Sequence, residues 1–183
     1  MNTKNNRKSR MTKRIFHETL LSLLQTHHIA EISVKGLCEA ADLNRSTFYA
    51  YYQNQMDILR EIEEMTYKDV EKLLLSGINS DGSADSTKIF ETLLQYILEN
   101  SKLFRILMGQ NGSQDFQEKL MELTEAANQY RKVDPASASG DNSHYVRCYR
   151  VAGCTRVIEE WIRSGFNRSV QDIAKLLIHL SEG

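Results

Sequence analysis

Proline is nearly missing from this sequence: Pro135 is the single one in 183 residues. Proline breaks helix interiors by removing an N–H and clashing with the preceding turn. Its rarity, with frequent Leu, Glu, Lys and Ile, points to a mostly helical protein. No stretch alternates in the manner of a strand over a useful length, and no internal repeat is found. Cysteine is scarce too. Cys38, Cys148 and Cys154 are odd in number, lack metal-ligand spacing and follow no secretory segment. They read as small apolar fillers in a reducing cytoplasm, with no metal site. Long apolar runs are missing as well. Residues 15–24 are interrupted by His17, Glu18 and Ser22, too short and too polar a stretch to span a membrane. There is no Gly-rich phosphate loop, no HExxH and no GxSxG. His17, His27, His28, His144 and His179 have no carboxylate or cysteine partner at useful spacing. An enzyme is therefore not expected, and no cofactor is implied.

Charge is balanced overall, with 23 basic and 24 acidic residues, but unevenly placed. Residues 1–60 carry nine Lys/Arg and five Asp/Glu, and six of those nine lie in the first fourteen positions with no acid among them. A basic N-terminal arm often contacts a polyanion. A solvated, disordered tail would have the same composition.

Residues 11–26 read as a helix, with Phe16, Leu20, Leu23 and Leu24 on one stripe. Ser33 is placed to cap a short second helix over 34–41, buried through Val34, Leu37, Cys38 and Ala41. Asn44 is placed to cap a third, over 45–52. Asn54, with Asp57 three residues on, begins a long fourth helix reaching about residue 76. The three-residue turn Asp42, Leu43, Asn44 gives helix-turn-helix spacing. A tight turn there favours φ > 0, which Asp tolerates better than most residues other than Gly.

The stretch "NRSTFYAYY", 44–52, then sorts by face. Phe48 and Tyr52, four apart, point to the core with Leu37 and Leu43. Arg45, Ser46, Thr47, Tyr49 and Tyr51 are left at the N-terminal end and outer sides. Such an end fits a major groove, where backbone N–H groups favour phosphates and an arginine can grip guanine O6 and N7. Tyr49 and Tyr51 could instead pack on the first helix.

Residues 12–59, "TKRIFHETLLSLL…IAEISVKGLCEAADLNRSTFYAYYQNQMDIL", resemble the DNA-binding domain of TetR-family transcriptional regulators. The resemblance rests on the first helix, the "IS" cap, the "LNRSTFYAYY" recognition helix and the "N….IL" entry into the fourth helix. In the C-terminal half, "FRILMGQNGSQDFQEKLMEL" and "YRVAGCTRVIEEWIRSGFNRSVQDIAKLLIHL" look like the C-terminal domain of a subgroup typical of Gram-positive bacteria, through Gly153, Trp161, Ile162 and Gly165. The resemblance implies a homodimeric regulator, usually a repressor, on double-stranded DNA, controlled by a small molecule or a partner protein. Two positions depart from it: Asp42 stands where many members have Gly, and Gln55 where many have a phosphate-binding Lys. Lys35 and the arm at Arg10 and Lys13 could compensate.

The expectation is an all-α chain of about nine helices. The arm and helix-turn-helix domain occupy 1–53, and a helical regulatory and dimerisation domain occupies 54–183. "GINSDGSADS" (77–86) and "VDPASASGDNS" (133–143) read as loops. Gly109 and Gly112 bracket a turn, and Gly165 ends the eighth helix. The last two helices hold more apolar surface than one face requires. Val146, Gly153, Val157, Trp161, Ile173, Leu176, Leu177 and Leu180 are the candidate dimer interface, and an inverted-repeat operator follows from two-fold symmetry. Gly153, mid-helix, costs about 1 kcal/mol against Ala unless helices approach closely there. Tyr96, Phe104, Met108, Tyr145, Cys148 and Tyr149 could line a pocket, but such residues at helical spacing are more often simple core, and no effector residue is assigned. The alternative function is a helical adaptor or co-regulator acting through protein contacts.

Overall fold

The computed structural model describes residues 3–77, 85–128 and 143–182. Among these the chain is all-helical: α1 Thr3–Leu23, a 3₁₀ turn Ile29–Glu31, α2 Val34–Ala40, α3 Arg45–Tyr49, α4 Gln55–Ser76, α5 Ser86–Glu99, α6 Ser101–Leu107, α7 Gln114–Asn128, α8 Ser143–Arg163 and α9 Val170–Glu182. The two stretches read as loops fall mostly in 78–84 and 129–142, outside the described residues. The chain divides into two compact units, Met1–Thr66 with Gly109–Asn111, and Tyr67–Met108 with Gly112–Gly183. The division falls inside α4, beyond the 53/54 boundary expected from sequence, because Glu61 of α4 bonds to Lys13, His17 and Tyr52 of the first unit.

In the first unit, Phe16 and Leu20 of α1 and Leu24 just past its end recur every fourth residue and are buried. The helix starts at Thr3, earlier than the hydrophobic stripe alone predicts, since neither Gly nor Pro interrupts the basic segment. Ser33 caps α2, its Oγ accepting from the Gly36 N–H at 3.0 Å. Asp42 takes the left-handed conformation with φ 51°, and Leu43 N–H donates back to Cys38 O at 3.0 Å. That bond closes the C-terminal motif a glycine would ordinarily complete. Asn54 Oδ1 accepts from Met56 N–H, while Asp57 Oδ2 accepts from the N–H groups of Gln53 and Asn54, fastening the start of α4. Asn111 also belongs here. Its Oδ1 accepts from Ile29 N–H at 3.0 Å, and its Nδ2 donates to Leu24 O and His27 O. One amide thereby serves carbonyls that the end of α1 leaves open.

In the second unit, α5 packs on α9, and α8 packs on both α7 and α9. Phe90, Leu93, Leu94, Ile97 and Phe104 meet Cys154, Trp161, Ile162, Ile173 and Leu177 in one buried cluster. Trp161 donates its Nε1–H to Arg168 O at 3.0 Å and sits edge-on to Phe166 at 4.9 Å. Gly165, at φ 82°, ends α8 as expected, with Phe166 N–H donating to Trp161 O. Gly112 is required by close approach: a Cβ there would lie 1.7 Å from Leu107 O.

Candidate nucleic-acid interface

Three rings build the platform. Phe48 stands edge-on to Phe16 with centroids 5.4 Å apart, and Tyr52 edge-on to Phe16 at 6.0 Å. Phe16 and Phe48 are fully buried, so α3 is held to α1 by aromatic packing rather than by its own five residues. Behind the rings, Tyr52 Oη donates to Glu61 Oε2, and Lys13 Nζ lies 2.7 Å from Glu61 Oε1. His17 Nε2 is within 3.3 Å of both Tyr52 Oη and Glu61 Oε2. Burial lowers the His17 pKa below its usual value, with Glu61 opposing and Lys13 assisting. Burial pushes Glu61 upward, but hydrogen bonds from Lys13, Tyr52 and His17 outweigh it and hold the carboxyl below its usual range. Burial and the bond to Glu61 raise Tyr52, which stays a neutral donor.

In front of the rings, α3 presents its outer side. Arg45, Ser46 and Tyr49 are exposed, and Thr47 and Tyr51 are half-buried. Tyr49 keeps 60% of its surface free although its ring edge meets Phe48 at 5.4 Å. Asn44 has the extended backbone of an N-cap, but its side chain accepts no bond from the helix. The first-turn N–H groups therefore have no acceptor from their cap, a geometry suited to phosphate oxygens.

The basic residues fall into two groups. Lys13 pairs with Glu61, Arg14 with Glu18, Lys35 with Glu39 at 3.8 Å, and Arg60 with Asp57. Arg7, Lys8, Arg10 and Arg45 are exposed and have no acidic partner among the described residues. Lys13, expected to meet phosphate, is thus spent on Glu61, whereas the Lys35 pair is a long surface contact that water screens. Gln55, the first residue of α4, is half-buried.

The C-terminal positions divide differently. Trp161, Ile173 and Leu177 are buried in the core of their own unit, Trp161 to 2% exposure, so they are not surface offered to another chain. The apolar excess attributed to them is absorbed by α5 and Phe166. Val146, Val157 and Leu176 are half-buried, and Gly153 and Leu180 are exposed. No described residue lies within 4 Å of a Cβ built on Gly153, so the close helix approach that would compensate it does not occur among the described residues. Tyr145 and Tyr149, at 71% and 79% exposure, stand out from α8 rather than lining a pocket. Phe104 and Met108 do line an internal cavity, and Tyr96 donates to Asp69 Oδ2.

Sequence reasoning missed Glu61, Asn111 and Arg150. Glu61 and Arg150 each interrupt an apolar helical stripe, Glu61 between Ile58 and Ile62 and Arg150 between Val146 and Cys154. That signal was available. Asn111 has no comparable local mark.

Residues 84–183 match the TetR_C_8 model, described as a transcriptional regulator C-terminal region. This chain belongs to the TetR family of transcriptional regulators. It is 31% identical over 101 residues to the HTH-type dhaKLM operon transcriptional activator DhaS of Lactococcus lactis, covering 55% of this chain and 51% of DhaS. It is 25% identical over 95 residues to the HTH-type transcriptional regulator YxbF of Bacillus subtilis, covering 50% of this chain and 25% of YxbF. The chain thus spans about half, or less, of the length of the curated relatives it matches. Among solved structures, a TetR transcriptional regulator from Streptococcus agalactiae superposes with a TM-score of 0.70 at 18% identity, covering 99% of both chains. The first unit shares its helical fold with that structure, and the TetR_C_8 match lies in the C-terminal half. Among the described residues, no helix is long and apolar enough to cross a membrane.

Proposed function

We propose that this TetR-family chain binds an inverted-repeat operator as a two-fold dimer and represses transcription until a ligand or partner protein releases it. The observation that carries the reading is α3. Arg45 and Tyr49 project, unpaired and exposed, from a helix whose opposite side is fixed by Phe16, Phe48 and Tyr52. Arg45 would read a base edge, Tyr49 and Thr47 would pack on thymine methyls or reach phosphate, and Ser46, Tyr51 and Gln55 would hold the backbone. Arg7, Lys8 and Arg10 add charge that no acid among the described residues neutralises, so they would contact phosphates irrespective of sequence. Lys35 joins them once its weak pair with Glu39 opens.

One recognition helix covers only a few base pairs, so specific binding needs two, in half-sites about one helical turn or more apart, ~34 Å or beyond. The exposed face of α8 supports a dimer: Tyr145, Tyr149 and Gly153 offer rings and an open backbone, with Leu180 of α9. Repression is assigned as the mode that the TetR resemblance usually implies. Its relative DhaS is named an activator, and a reporter assay with and without the protein decides the sign. The function itself is tested by selecting genomic fragments with purified protein, then footprinting. Two protected half-sites in inverted orientation are expected, and recovery of no sequence above background would end the reading.

A further inference from the structure

A buried cation that no described residue neutralises stands in the second unit. Arg150 of α8 is only 8% exposed, yet its guanidinium has no hydrogen-bond or ion-pair partner among the described residues. It lines a partly open cavity of about 100 Å³ whose wall is built from residues of α4 to α9 in that unit. The remaining wall is predominantly apolar, with Phe90, Leu93, Phe104 and Ile158 among its residues and no carboxylate among the described ones. Two polar wall residues are already committed: Gln117 Nε2 donates to Leu107 O and Thr124 Oγ1 to Leu120 O. Arg150 is not. No nitrogen of its guanidinium is sealed away without a partner, so each still faces accessible space.

An arginine cannot shed its charge on burial as lysine does. An unpaired buried charge is costly. A fold that keeps one at the wall of an apolar cavity is incomplete without an anion, and a guanidinium offers two parallel N–H donors that match a carboxylate. We propose that the cavity binds an amphiphilic monocarboxylate, its head on Arg150 and its hydrocarbon tail against the apolar wall. This deepens the proposed function by giving the ligand a chemical class, and it rests on that reading only for the link to operator release. The step is reversible binding, and no bond is made or broken in the ligand.

The test is calorimetric titration of the full chain, without DNA, with octanoate, 1-octanol and acetate. Octanoate should bind at least tenfold more tightly than octanol, which has the tail without the charge, and acetate should bind negligibly. Arg150→Met should erase the octanoate advantage while leaving octanol binding in place. Arg150→Lys should retain part of it, since a single ammonium cannot make the paired contact. Without ligand, Arg150→Met should melt at or above the wild-type temperature, because removing an uncompensated charge relieves the fold. Octanoate should raise the melting temperature of the wild type and not of Arg150→Met. Equal affinity of the wild type for octanoate and octanol would overturn the proposal without recourse to any variant, as would undiminished octanoate binding by Arg150→Met. Preference for octyl phosphate over octanoate would also overturn it by replacing the head group. Octanoate is then added to an operator complex. Release there tests the regulatory link, and its absence alongside confirmed binding counts against the regulatory reading rather than against the site.

Discussion

Tyr52 Oη donates to Glu61 Oε2 across 2.6 Å, tying the chain just past the recognition helix to the fourth helix. The same carboxylate receives Lys13 at 2.7 Å and His17 at 3.3 Å. One acid therefore joins α1, the end of the helix-turn-helix and α4 behind the aromatic platform. Glu61→Ala leaves three polar groups without their shared acceptor. Because the carboxylate is partly exposed, the loss should sit toward the low end for such groups, about 1–2 kcal/mol. Hydrogen exchange is the measurement. Amides of α1 and α3 should exchange faster in Glu61→Ala while those of α5 and α9 are unchanged, and uniform exchange across both units would contradict the role given to Glu61.

The same cluster sets a pH dependence. His17 titrates below its usual 6.5 because it is buried, and Glu61 below its usual 4.5 because Lys13, Tyr52 and His17 donate to it. For both groups the unfolded chain binds protons more readily than the folded one, so stability falls as pH falls. The His17 contribution is present above about pH 6.5 and is lost as pH drops toward its folded pKa. That of Glu61 is lost only below about pH 4.5. Melting temperatures between pH 7.5 and 5.5 should therefore decline in the wild type and flatten in His17→Gln. Equal slopes in the two proteins would remove His17 from the account.

Asp42 holds φ 51° in the turn between α2 and α3, is exposed, and its carboxylate has no hydrogen-bond or ion-pair partner among the described residues. Asp42→Gly removes the left-handed strain and adds some unfolded-state freedom, so a net gain of about 0.5–1 kcal/mol is expected. Urea denaturation gives the value. A loss of stability in Asp42→Gly would mean that the carboxylate has a role the geometry does not reveal.

Asn111 serves one N–H and two carbonyls around the end of α1. Asn111→Ala leaves all three to water and should cost about 1–3 kcal/mol. Asn111→Asp, which keeps the acceptor for Ile29 and loses the donors, should fall between. Denaturation midpoints of the two variants in that order support the clamp, and an unchanged midpoint for Asn111→Ala denies it.

Much of the first unit was legible in the sequence because its signals are local. Ser33 and Asn54 cap where serine and asparagine before an apolar stripe should, and Phe48 and Tyr52 are core because they lie four apart on a short helix. Asn44 was placed correctly as the cap residue, but whether its side chain bonds the helix depends on a rotamer, which spacing does not encode. The second unit was read less well. Apolar residues on α8 and α9 exceed one packing face, and periodicity cannot tell a helix buried on two sides by its own chain from one that faces a partner. Trp161, Ile173 and Leu177 belong to the first case, while Tyr145 and Tyr149 remain outside. Pairing was equally hidden: Lys13 and Arg10 look alike in sequence, and only the fold brings Glu61 to one of them.

The central claim is that Arg45 and its neighbours on α3 read DNA from a platform that does not depend on them. Fluorescence anisotropy with the selected operator, at several salt concentrations, tests it directly when paired with melting curves. Arg45→Ala should lose about 1–3 kcal/mol of specific binding with its melting temperature unchanged, and Arg10→Ala should weaken all sequences alike and lower the salt slope by about 1. Wild-type operator affinity in Arg45→Ala at moderate salt would contradict the claim.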